Sequence, residues 1–237
     1  MNAEISLKPL YQQVRERLTL RLMDGEWAAG EVIPSEMRLA QDLGVSQGTV
    51  RKALDEMVRD NILRRKQGRG TFVASSDDAE FVFQFFRLQP DGGDRVLPTS
   101  KAHSVRREKA TRVMAAALAI DRGADVMRIE RTRALNDVPA IAETVILPRT
   151  LFPDLPSARD VPNNLYNLYA RRYGIRVGDT VERIKAAVAT STEAEQLLCA
   201  TGTPLLRIER VANDLSGKPV ELRISACLTD RFHYAAN

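Results

Sequence analysis

The run Arg128-Ile129-Glu130-Arg131, followed from Pro139 by a second β-rich run, recurs as Arg207-Ile208-Glu209-Arg210, followed from Pro219 by another. Between the halves of each copy stands a polar turn, Leu135-Asn136-Asp137-Val138 or Leu215-Ser216-Gly217-Lys218. Two β-prone runs flanking a turn signal predict a hairpin. Two such hairpins in one stretch suggest a pseudo-symmetric antiparallel sheet with helices to one side, an α+β arrangement. Two edge hairpins that merely share composition are the alternative. The runs 81–88 and 101–107 read as further strands, and 108–118, 164–173 and 193–200 as helices.

The first hairpin carries a charge pattern. If Leu135 faces Pro139 across a three-residue loop, stepping four residues outward on each strand sets Arg131 opposite Glu143. Arg133, two residues from Arg131, projects from the same face. Guanidinium forks beside a carboxylate suit a small anionic ligand bearing a phosphate or carboxylate. The same residues also fit a surface ladder of cross-strand ion pairs, which would contribute little.

The first third of the chain has another character. Leu10, Val14, Leu18 and Leu22 recur at steps of four and predict a helix over 9–24. Ser35 can cap a second helix, with Leu39, Ala40 and Leu43 inward. Gly44 suits the turn, and Ser46 can cap a third helix running to about 59, with Val50, Ala53, Leu54 and Met57 on one side. Two β-prone runs, 62–66 and 71–73, then flank Gln67-Gly68-Arg69-Gly70. Three helices and a basic hairpin make a winged helix-turn-helix. The featureless stretch 74–78 places the domain boundary, giving 1–76 and 77–237.

Net charge is only +4 over 237 residues, but residues 44–73 hold seven basic and three acidic side chains, a net +4 of their own. That clustering points to an anionic polymer. A helix fits the major groove, and its first turns reach base edges. Arg51 can grip guanine and Gln47 adenine in bidentate fashion, while Gly48 permits close approach. Ser35, Thr49 and Lys52 suit phosphates. In the hairpin, Gly68 can enter a minor groove with Lys66 and Arg69 on flanking phosphates. A solvated basic helix and hairpin is the plainer reading of each feature alone.

Residues 9–73 resemble the DNA-binding domain of GntR-type bacterial regulators, through PLYQQV, PSEMRLAQDLGVSQGTVRKALDEM and RRKQGRGTFV. Where that family usually has Arg in its second helix and at the start of its third, this chain has Met37 and Gln47. The resemblance implies binding to double-stranded operator DNA. Residues 80–235 resemble the UTRA effector-binding domain of the HutC branch, through RIERTRALNDVPAIAETVILPRTLFPDL, NLYNLYARRYGI and GKPVELRISACLTDRFHY. That resemblance implies an effector pocket at Arg131, Arg133, Glu143, Asn164, Tyr166 and Glu221. The ligand would be a sugar phosphate, a carboxylate or a phosphonate-like anion. It further implies a homodimer on a palindromic operator, acting as a repressor, with an activator as the alternative.

Other classes fit less well. The UTRA fold is similar to that of chorismate lyase, but His103 and His233 have no partner at metal-ligand spacing and no nucleophile motif is present. We therefore expect no enzyme and no cofactor. The all-helical effector domain of another GntR branch conflicts with two hairpins. No apolar run approaches membrane-span length, the N-terminus lacks a signal-like core, and Cys199 and Cys227 read as reduced thiols. The expectation is a cytoplasmic protein.

Overall fold

The structure, a computed structural model, describes residues 8–60, 62–74, 85–92, 94 and 96–236. The chain divides into two compact units, Met1–Phe81 and Val82–Asn237. The expected boundary at 76/77 and the first half of the expected strand 81–88 lie outside the described residues.

In the first unit, α1 (Leu10–Met23), α2 (Glu36–Leu43) and α3 (Gln47–Arg59) precede a hairpin of β1 (Leu63–Lys66) and β2 (Gly70–Val73). The stripe of α1 is buried at Val14, Leu18 and Leu22, whereas Leu10 in the first turn is 51% exposed. Ser35 Oγ accepts from Arg38 N and Ser46 Oγ from Thr49 N, so each helix start satisfies an amide with no intrahelical partner. Gly44 ends α2 at φ 66°, a left-handed conformation that glycine adopts cheaply. Val50, Ala53, Leu54 and Met57 are all within 1% of full burial, which leaves the opposite face of α3 to solvent. Backbone bonds from Gly30 and Ile33 to β2 add a third edge to the wing.

The second unit holds one six-stranded antiparallel sheet. Its strands are β4 (Thr99–Lys109), β5 (Asp125–Leu135), β6 (Val138–Pro148), β7 (Val177–Val188), β8 (Pro204–Asp214) and β9 (Pro219–Leu228), in the order β4-β5-β6-β9-β8-β7. A separate ribbon pairs β3 (Leu88–Pro90) with β10 (Phe232–Tyr234). Among the described residues the unit also has helices α4 (Arg112–Leu118), α5 (Leu165–Tyr173) and α6 (Ser191–Leu197), and a short 3-10 turn at Ala158–Asp160.

The repeat proves larger than two hairpins. Thr111 caps α4 and Thr190 caps α6, each by accepting from the third helical amide. Ala119 and Leu198 end these helices in the left-handed region, and Gly123 and Gly202 turn the chain into β5 and β8. The unit β4-α4-β5-β6 is thus repeated as β7-α6-β8-β9, and β6 meets β9 at the centre. The expected helix 108–118 begins late because strand pairing runs on to Lys109 and Thr111 supplies the cap. The expected 193–200 starts earlier, at Ser191, for the same kind of reason: Thr190 and Glu193 form a reciprocal capping box. Of the expected strand 81–88, only Leu88 among the described residues lies in a strand, and that strand runs on to Pro90.

The helices do not lie to one side, as the sequence suggested. Ala115 and Leu118 of α4 pack on Val126, Ile146 and Leu222, and Glu193 of α6 binds Arg207 on that same face. Helix α5 covers the other face, where Tyr166 and Tyr169 reach Glu221. Since Leu222 and Glu221 are neighbours on β9, their side chains necessarily emerge on opposite faces.

Candidate nucleic-acid interface and anion pocket

On the first unit, Gln47, Gly48, Arg51 and Lys52 are exposed on α3, with Thr49 half-buried. Their side chains are already organised, by a residue the sequence reading did not single out. Glu36, at the start of α2, accepts from Arg51 Nε at 2.9 Å, from Gln47 Nε2 at 3.3 Å and from Arg65 Nη2 at 3.0 Å. Its side chain is only 20% exposed, whereas that of Arg51 is 58% exposed. One carboxylate therefore positions both candidate base-reading side chains. No sequence periodicity links residue 36 to residues 47 and 51; the tight turn at Gly44 brings them together.

The phosphate candidates divide. Ser35 spends its oxygen on the α2 cap, and Thr49 Oγ1 shares a hydrogen bond with Ser46 Oγ at 2.8 Å. Lys52 Nζ lies over the Tyr11 ring at 4.0 Å and Lys66 Nζ over Phe72 at 4.7 Å, so each ammonium is held by an aromatic face. Gly68, at φ 70°, and Arg69 are exposed at the tip of the wing. A side chain at Gly68 would meet nothing within 4 Å, but its left-handed backbone favours glycine.

On the second unit, the sheet face under α5 buries charge. Arg131, Arg133, Arg210 and Arg223 are at most 7% exposed, as are Glu143 and Glu221. Arg131 Nη2 stands 2.5 Å from Glu143 Oε1, and its Nη1 donates to Asn163 O at 3.1 Å. Arg223 binds Glu221 through two nitrogens, at 2.9 and 2.8 Å. Arg210 is held by Glu182 of β7. Burial alone would raise the Glu143 carboxyl, but Arg131, Arg223 and Arg133 together hold it well below the ordinary carboxylate range.

Five of the six expected effector residues are thus occupied internally, Arg131 by Glu143 and Asn163 O as above. Glu221 accepts from Tyr166, Tyr169 and Arg223, and Glu143 from Arg131 and Ser225. Asn164 caps α5, its Oδ1 accepting from Asn167 N at 3.1 Å. Tyr166 lies under the Arg223 guanidinium, and burial followed by Glu221 pushes its phenol up to about 12.

Arg133 differs. Its Nη1 lies 4.0 Å from Glu143 Oε2, its guanidinium stacks 4.8 Å from the Phe86 ring, and its Nε has no hydrogen-bond partner. Burial first, then repulsion from Arg131, pushes its pKa down to about 9, so it remains a cation at neutral pH. It lines a cavity of about 20 Å³ with Phe86, Glu143, Arg223 and Cys227. That is little more than the ~10–15 Å³ needed by one water.

Arg210 and Arg223, absent from the expected set, had a signal in the repeat. Arg210 occupies in the second copy the place that Arg131 holds in the first, and Arg223 the place of Glu143. Reversal of charge at that last position makes an ion pair across the pseudo-dyad, Arg223 Nη1 to Glu143 Oε2 at 3.5 Å.

Comparison with known proteins agrees with both halves. The profile of bacterial regulatory proteins of the gntR family matches residues 10–73, and that of the UTRA domain matches residues 94–233. The chain is 30% identical over 225 residues to the "Probable fructoselysine utilization operon transcriptional repressor" of Shigella flexneri, covering 94% of this chain and 91% of the relative. It is 28% identical to the HTH-type transcriptional repressor NagR of Bacillus subtilis, covering 95% and 93%. The crystal structure of PhnF from Mycobacterium smegmatis is similar at a TM-score of 0.53 and 28% identity, over 94% of this chain and 98% of that one. These relatives are transcriptional regulators rather than enzymes, and no helix among the described residues is long and apolar enough to cross a membrane. A winged helix with an exposed basic face, followed by a UTRA sheet with buried arginines, fits the same assignment: the chain belongs to the GntR family of DNA-binding transcriptional regulators, in its HutC branch.

Proposed function

We propose that this regulator is a homodimeric repressor that binds a palindromic operator and is released by a small anionic metabolite held at Arg133. The observation that carries this reading is the buried, incompletely paired guanidinium of Arg133. Four buried arginines face Glu143, Glu221 and Glu182, one cation more than the carboxylates present. Burying an uncompensated charge is costly, and an anionic ligand offsets it. The fructoselysine role in the name of the Shigella relative supports a sugar-derived compound, and a phosphate or carboxylate group supplies the charge.

Two features support the remaining parts. The outer strand β7 exposes Val181, Ile184 and Val188, a sheet edge that a second copy would cover. Protein two-fold symmetry in turn calls for two operator half-sites. Coupling has a route through the pocket wall: Phe86 and Arg87 line the cavity, and they follow closely on the junction of the two units. Admitting a metabolite into so small a space requires that wall to move, which gives the ligand different affinities in two states.

A thermal-shift screen of sugar phosphates, carboxylates and phosphonates against the full chain identifies the ligand, since binding to the native state raises the melting temperature. Operator affinity is then measured with and without it at constant ionic strength. A drop of about tenfold or more, corresponding to a coupling of roughly 1–3 kcal/mol, is expected. A ligand that binds tightly yet leaves operator affinity unchanged defeats the scheme.

A further inference from the structure

Ser100 stands directly opposite Arg133 in the β4–β5 register, so the two side chains share one face of the sheet. The Ser100 hydroxyl is shut off from solvent and has no hydrogen-bond partner; the Arg133 Nε is in the same condition. Nearly all buried polar groups in folded proteins are paired, so two orphans on facing residues of adjacent strands call for one explanation. Each is a donor, and Nε is cationic. What would satisfy both is an oxygen acceptor bearing negative charge, placed between the strands.

We infer that Ser100 is an effector-binding residue, its hydroxyl and Arg133 Nε donating to a single oxyanion group, phosphoryl or carboxylate, of the ligand. The inference rests on the anion-binding reading of Arg133 and adds to it a residue from a different strand. Neither family motif nor composition marks position 100; only the strand register does. The neighbouring Arg131 is spoken for by Glu143 and Asn163 O, which leaves Ser100 and Arg133 as the pair with donors to give. Both donors are buried without an acceptor, an internal cost that a bound oxyanion removes.

The test uses the full chain as wild type, Ser100→Ala, Ser100→Thr and Arg133→Gln. Inorganic phosphate and acetate serve as probes, with chloride holding ionic strength constant. Melting temperature is read without anion and across each titration. Expected are a Ser100→Ala chain that melts no lower than wild type in the absence of anion, and anion affinity weakened about tenfold. Ser100→Thr, which keeps the hydroxyl, should retain most of the affinity. Preference for phosphate over acetate, or the reverse, identifies the oxyanion. A merely structural serine gives the opposite pattern, a lowered melting temperature with unchanged affinity, and that result overturns the inference. Unchanged affinity in Ser100→Ala alongside lost affinity in Arg133→Gln removes Ser100 but keeps the pocket. No binding of either probe to the wild type overturns the pocket and the serine together.

Discussion

Arg131 and Glu143 face each other across β5 and β6 with 2.5 Å between Nη2 and Oε1, and the two side chains are 1% and 3% exposed. Removing one member of a buried pair leaves the other charge without compensation, typically at a cost of about 3–5 kcal/mol. Glu143→Gln should therefore destabilise the second unit by about that amount at neutral pH, read from urea unfolding. The folded carboxyl lies below its ordinary value of 4.5, because the surrounding arginines outweigh burial. As pH falls, the unfolded chain takes up this proton first. The contribution is thus complete above the ordinary value and is lost progressively below it. The gap between wild type and Glu143→Gln should narrow in acid; an equal gap at pH 7 and about pH 3 would contradict the assignment.

That pairing was legible from sequence, although the turn behind it was not. The expected three-residue loop is a two-residue turn, Leu135 pairing with Val138, with Asn136 and Asp137 at φ 50° and 63°. A bulge then inserts Ala140, since Ala134 pairs with Pro139 but Arg133 with Ile141. The extra residue restores the register that the shorter turn had shifted, and Arg131 meets Glu143 after all. The second hairpin repeats the device between Ala212 and Asn213.

A turn with two left-handed residues favours Asn-Gly, and a β-branched side chain there is strained. Asp137→Val should cost about 1–2 kcal/mol, while Asp137→Gly should cost little or nothing. Thermal unfolding of the two variants checks this; equal losses would mean that the hairpin relaxes into another turn.

The DNA-binding unit was largely legible because its signals are local: caps, a glycine turn and an apolar stripe within one helix. The role of Glu36 was not, because it depends on the angle between two helices. Strand β7 escaped notice for a different reason. As an outer strand it mixes exposed Val181, Ile184 and Val188 with charged residues, and no clean alternation survives. The contacts of Glu221 with Tyr166 and Tyr169 were also hidden, since those side chains come from a helix more than fifty residues away in sequence.

We propose that Arg51 reads bases and that Lys66 meets phosphate. Arg51→Ala should cost about 1–3 kcal/mol on a duplex selected from a randomised pool and little on scrambled DNA. Lys66→Ala should weaken both alike and reduce the salt slope by about one. Fluorescence anisotropy at several salt concentrations separates the two; equal loss on both duplexes for Arg51→Ala would end its reading role.

Glu36 holds Arg51 and Gln47 in place and adds a negative charge at the edge of the reading face. Glu36→Gln should therefore raise affinity for scrambled DNA and lower discrimination, narrowing the ratio between selected and scrambled duplex by about tenfold. The exposed Arg51–Glu36 pair contributes little to stability, so melting should move by only a degree or two. An unchanged ratio would leave Glu36 as an ordinary surface partner.

The most direct test of the whole account is selection of bound duplexes from a randomised pool by the full chain, followed by titration of the enriched sequence from about 50 to 200 mM salt. A dimeric regulator of this kind should enrich a two-fold symmetric sequence and bind it about a thousandfold or more above scrambled DNA, with affinity falling steeply as salt rises. No enrichment, and no salt-sensitive attachment to any duplex, would contradict it.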